Sequence, residues 1–113
     1  MSRDDVYLID ILEAARLAME YVRGKTREEF LNDVQVQDAV MRRLAIIGEA
    51  ARRVSEATRQ DMPELAWREM VGMRNIVVHE YDDVDLDVIW DAVTRDLPPL
   101  ANALARRVPP EKP

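Results

Sequence analysis

The sequence predicts an all-α protein, an antiparallel up-and-down bundle of four main helices plus short turns. Of its 113 residues 48% are apolar and 34% charged while glycine occurs only three times, a composition of helices rather than of strands and tight turns. Apolar residues recur at spacings of three and four along most of the chain. The connectors between these stretches are short, which favours antiparallel neighbours. This length fits one domain with one core, spanning 1–108, and the proline-rich residues 109–113 read as a frayed tail.

Val6, Ile9, Leu12, Ala15, Met19 and Val22 share one face of a first helix over residues 5–23, closed by Gly24. Thr26 stands three residues before Glu29, the spacing of a capping box, and starts a short helical turn. Val40, Leu44, Ile47, Ala51 and Val54 then form the clearest seam in the chain, predicting a long helix from about Asp33 to Arg59. Asp61 and Pro63 mark a break, because proline suits a first helical turn where its missing N–H costs nothing. A third helix, from about Glu64 to His79, is apolar around most of its circumference and is expected to be the most buried. Gly72 within it would permit close helix packing, or ease a local distortion beside Arg74. Asp85 is a good N-cap for a fourth helix with the seam Leu86, Ile89, Val93, Leu97, Leu100 and Leu104. Pro98 and Pro99 should kink or split that helix near Leu97. Trp67 and Trp90 read as core or interface residues, with base stacking the alternative.

Composition also excludes functions. With no cysteine, disulfides, thiolate nucleophiles and cysteine-based zinc sites are ruled out. The acidic start MSRDDVYLID lacks a basic leader, and no apolar run approaches the ~20 residues of a membrane span. A cytoplasmic, membrane-free protein is expected. The net charge of −6 argues against passive wrapping of nucleic acid. Its distribution is uneven: only the segment 42–74, with Arg42, Arg43, Arg52, Arg53, Arg59, Arg68 and Arg74, is basic on balance. That segment is either a docking place for phosphates or a set of solvated helix faces.

The chain's single histidine lies in the stretch RNIVVHEY, residues 74–81. On an ideal helix Arg74 and His79 diverge by about 140°, whereas Asn75 and His79 lie within about 40° and can hydrogen-bond. For Arg74 and His79 to converge, the arginine must reach around or the helix must loosen. Cleaving RNA by attack of a 2′-hydroxyl needs a base for that proton, an acid for the departing 5′-oxygen, and positive charge on the phosphorane. Histidine titrates near neutrality, and arginine forks onto phosphate oxygens. If two imidazoles are needed they must come from two chains, which predicts a symmetric homodimer with one shared cleft. By itself Arg-x-x-x-x-His is a weak signal: many helices carry it by chance, and a lone histidine near a helix C-terminus also serves terminal carbonyls. No metal or other cofactor is expected, since EYDDVDLD lacks a second histidine or an EF-hand spacing and reads as a loop and helix start. A carboxylate metal bundle fails because it needs Glu-x-x-His on two helices.

The arrangement Arg74-Asn75 … His79-Glu80-Tyr81 resembles the R-x-x-x-x-H-x-Y signature of the HepT-like toxins, a branch of the HEPN ribonuclease superfamily. The segments QDAVMRRLAIIGEAA (37–51), PELAWREMVGMRN (63–75) and VDLDVIWDAVTRDLP (84–98) resemble the same family, in its order, over nearly the whole chain. The resemblance implies a helical homodimer and metal-independent endoribonuclease activity, with Arg74 and His79 catalytic and Asn75 supporting them. It also implies a toxin–antitoxin pair, in which an MntA-like nucleotidyltransferase antitoxin transfers AMP onto Tyr81 and silences the toxin. The acidic neighbours Glu80, Asp82 and Asp83 sit where RNA would approach; they would dock the antitoxin, or disfavour RNA until the dimer forms. A reading of a different class is a catalytically silent helical dimerisation module that binds the nucleotidyltransferase.

Overall fold

The computed structural model describes residues 1–79 and 85–108, with backbone alone at 76–79. Among the described residues the chain is helical, without strands: α1 (Arg3–Tyr21), α2 (Arg27–Leu31), α3 (Val34–Arg53), α4 (Glu56–Asp61), α5 (Trp67–His79), α6 (Leu86–Asp91) and α7 (Leu97–Ala105), with a π-helical turn at Ala92–Asp96. None of these helices is long and apolar enough to cross a membrane.

The core gathers around α3, which packs against α1 on one side and α5 on the other, while α7 returns against α1. The predicted seam of α3 is buried throughout, from Val40, Leu44 and Ile47 to Ala51 and Val54. It meets Ile11, Leu12 and Ala15 of α1, and Leu97 and Leu104 of α7 complete the cluster. Burying an aliphatic side chain of this size contributes about 1.5–3 kcal/mol, so this one seam outweighs any surface pair in the molecule. Gln37, the buried polar residue among those described, donates its Nε2 to the Phe30 carbonyl at 2.9 Å, which ties α2 to α3.

Local caps explain most boundaries. Thr26 and Glu29 form the expected reciprocal box, and Gly24 takes φ +75° just beyond α1. A second box of Ser2 and Asp5 starts α1 at Arg3, earlier than the apolar period indicates. Asp85 accepts from the amides of Asp87 and Val88, as expected of an N-cap.

The long helix expected to reach Arg59 ends at Arg53. Val54 and Ser55 turn extended, and Ser55 caps a separate α4 by accepting from the Thr58 amide. Arg59 then donates to the carbonyls of Ala51, Arg52 and Val54, the terminal acceptors of α3. The third helix begins at Trp67 rather than Glu64, since residues 62–66 form a turn in which Leu65 and the Trp67 indole both donate to the Met62 carbonyl. Of the described side chains of α5, Met70 and Met73 are buried and Trp67 and Val71 only partly; Ile76, Val77 and Val78, on which the expected burial also rests, lie outside the described side chains. The fourth helix is split near Leu97 as the prolines predict. The Leu97 amide reaches back to the Ala92 carbonyl, widening the turn ahead of Pro98 and Pro99, whose rings lack the donor and crowd an ordinary turn.

Candidate active site

Three of the four residues singled out in RNIVVHEY lie on α5. Arg74 is half-buried and Asn75 exposed. The described part of α5 stays α-helical up to His79, without the loosening that would let Arg74 and His79 converge along one helix. The hydrogen bond expected between Asn75 and His79 falls on a side chain outside the described residues, as do Tyr81, Glu80, Asp82 and Asp83 altogether.

Arg74 is placed by the crossing of α3 and α5. A Cβ added to Gly48 would stand 2.6 Å from the Arg74 amide nitrogen, 2.8 Å from its Cβ and 3.1 Å from the Val71 carbonyl oxygen. Only glycine allows the two backbones this approach. Gly72, expected to serve close packing or to ease a local distortion, has nothing among the described residues within 4 Å of a built Cβ, so the close approach seen there belongs to Gly48. The next residue, Glu49, accepts a hydrogen bond from Arg74 Nε at 2.6 Å. Sequence reading missed this pair, although the segment IIGEAA carried its signal: a glycine inside an apolar seam marks a close approach, and the acid beside it lies at its edge.

Beside Glu49, a depression of about 180 Å³ between α1 and α3 is lined by Tyr7, Asp10, Arg42, Ile46, Glu49, Ala50 and Arg53. Arg42, Glu49 and Arg53 follow one stripe of α3, so two exposed cations flank the acid that holds Arg74. A larger open hollow of about 520 Å³, lined by Glu56, Arg59, Gln60, Trp67, Arg68 and Val71, lies towards the start of α5. There Arg59 lies 5.7 Å from the centre of the Trp67 ring and is already committed to three carbonyls, so it serves the fold. Trp90 packs on Phe30 with ring centres 5.4 Å apart, a core position as expected. The basic balance of 42–74 therefore reduces to Arg42, Arg52, Arg53 and Arg68 as exposed cations, plus the Glu49-paired Arg74 and the half-buried Arg43.

Comparison with known proteins extends this chemistry. The chain is 41% identical over 100 residues to a protein of Methanocaldococcus jannaschii named as an RNase, covering 87% of this chain and 92% of that protein. It is 44% identical over 94 residues to a protein of Thermococcus cleftensis named as a ribonuclease HepT, covering 83% of this chain and 86% of that one. A third relative, also from M. jannaschii and named as a gamma-glutamylcyclotransferase and RNase, is 37% identical over 101 residues, 89% of this chain and 46% of its own length. No solved structure matches. The family described as Ribonuclease HepT-like matches residues 11–107, and the chain belongs to it: it is a HepT-like ribonuclease of the HEPN superfamily.

Proposed function

We propose that this endoribonuclease cuts RNA without a metal ion, through attack of a 2′-hydroxyl on the adjacent phosphodiester. One imidazole takes the 2′-hydroxyl proton, a second protonates the departing 5′-oxygen, and a 2′,3′-cyclic phosphate remains. Arg74 stabilises the charge that builds on the phosphorane, His79 supplies the proton transfers, and Asn75 orients the imidazole. The observation that carries this reading is the fixed Arg74, held at the α3–α5 crossing in a chain whose family cleaves RNA. Because the chain has a single histidine, two imidazoles at one phosphate call for two chains. The active species is accordingly a symmetric homodimer of antiparallel bundles with one shared cleft.

The resemblance to toxins of two-component pairs extends the reading to regulation. A nucleotidyltransferase antitoxin presents ATP, the Tyr81 hydroxyl attacks its α-phosphate, AMP stays on the tyrosine oxygen and pyrophosphate leaves. A bulky anion two residues from His79 then repels the RNA phosphate.

Arg74→Ala and His79→Ala should each lower cleavage by about 100-fold or more with an unchanged far-UV spectrum, while EDTA leaves wild-type cleavage intact. Either variant cutting RNA at the wild-type rate would remove that residue from the chemistry. Intact mass after incubation with the nucleotidyltransferase and ATP should rise by AMP at Tyr81, with cleavage lost. Modification of a protein that never cleaves RNA would instead favour the silent module, the reading to which net acidity lends support.

A further inference from the structure

We infer that Glu49 is a positioning residue of the ribonuclease: its carboxylate fixes the guanidinium of Arg74 so that the Nη hydrogens face the RNA phosphate. The inference rests on the assignment of Arg74 to that phosphate.

A guanidinium carries five N–H donors, one on Nε and four on the two Nη atoms. Glu49 occupies Nε at 2.6 Å and leaves the Nη edge, the edge that forks onto two phosphate oxygens. Arginine is otherwise a long, mobile side chain, and holding it beforehand removes an ordering cost from the transition state. Charge alone would argue against this partner, since an anion beside Arg74 weakens its pull on a phosphate in a chain that is already acidic. What Glu49 supplies is direction. The backbone secures it: Gly48 brings α3 against the Arg74 amide, so the next side chain on α3 meets Nε at hydrogen-bonding distance. Stability is not the explanation, because both side chains are over two-fifths exposed, and pairs of that kind contribute little to folding.

Gln, Asp and Ala at position 49 separate direction from charge. Glutamine keeps an acceptor at the same reach and drops the charge; aspartate keeps the charge and falls short by one methylene. In the full-length protein, Glu49→Ala and Glu49→Asp should each lose about ten-fold or more in kcat on a single-stranded RNA, with unchanged melting temperature. Glu49→Gln should recover most of that loss and bind RNA more tightly, seen as a lower KM. The Nε–H proton resonance of Arg74 should be present in wild type and Glu49→Gln, and lost to exchange in Glu49→Ala. If Glu49→Ala keeps the wild-type kcat while Arg74→Ala is dead, Glu49 does not position the arginine. If aspartate preserves activity and glutamine does not, charge and not direction is what position 49 supplies, which also overturns the inference. Wild-type cleavage by Arg74→Ala would overturn the assignment beneath it.

Discussion

A methyl group added at Gly48 would press on the amide and Cβ of Arg74, atoms fixed by the α5 backbone rather than the movable end of a side chain. Gly48→Ala should therefore destabilise the protein by about 1–3 kcal/mol, as overpacking does. Gly72→Ala should be neutral or stabilising by about 0.5–1 kcal/mol, since its added Cβ meets nothing among the described residues and a helix interior disfavours glycine. Urea unfolding of the two variants side by side measures the contrast. Equal stabilities would mean that α3 and α5 can slide apart at little cost. At this scale the placing of Arg74, Asn75 and His79 on one helix was legible in the sequence from their spacing, while the roles proposed for them come from the family resemblance. Gly48 and Glu49 were not, because their meaning depends on which helix lies across from them.

The break between α3 and α4 is held from outside. Asp4, near the start of α1, accepts from the Ser55 amide at 3.1 Å, the Ser55 hydroxyl at 2.5 Å and the Thr58 hydroxyl at 2.6 Å. The Ser55 hydroxyl first, then that of Thr58, hold the Asp4 carboxyl below its ordinary value of 3.8. A carboxylate whose folded pKa is depressed stabilises fully above its unfolded value, and that contribution is lost as the pH falls through the folded one. Asp4→Asn should therefore unfold at lower urea than wild type at pH 7, and the gap should close as the pH drops below about 4. A gap that persists unchanged into strong acid would show that the charge of Asp4 plays no part. The sequence did not reveal this break because Val54 continues the period of the seam, while the cap that interrupts it, Ser55 with Thr58 three residues on, gains its hold from α1.

For the whole molecule, the proposed shared cleft makes a quantitative prediction about mixtures. If each cleft needs an imidazole from both chains, a dimer of one wild-type and one His79→Ala subunit is inactive. After unfolding and refolding together, cleavage should fall as the square of the wild-type fraction, whereas self-contained sites would give a linear fall. A linear titration would place both proton transfers within one chain and remove the reason for the dimer.

What the sequence determined by itself is what interactions over three or four residues can encode. The helical character, the buried seam of α3, the caps at Thr26 and Asp85, the split before Pro98 and the placing of Arg74, Asn75 and His79 on one helix all follow from local spacing. Only the tertiary structure decided that Glu49 meets Arg74 from 25 residues away and that Asp4 meets Ser55 from 51. Such pairs depend on the distance and register at which helices cross. Both are fixed when the core packs around α3, with Gly48 where the backbones of α3 and α5 come too close for a side chain.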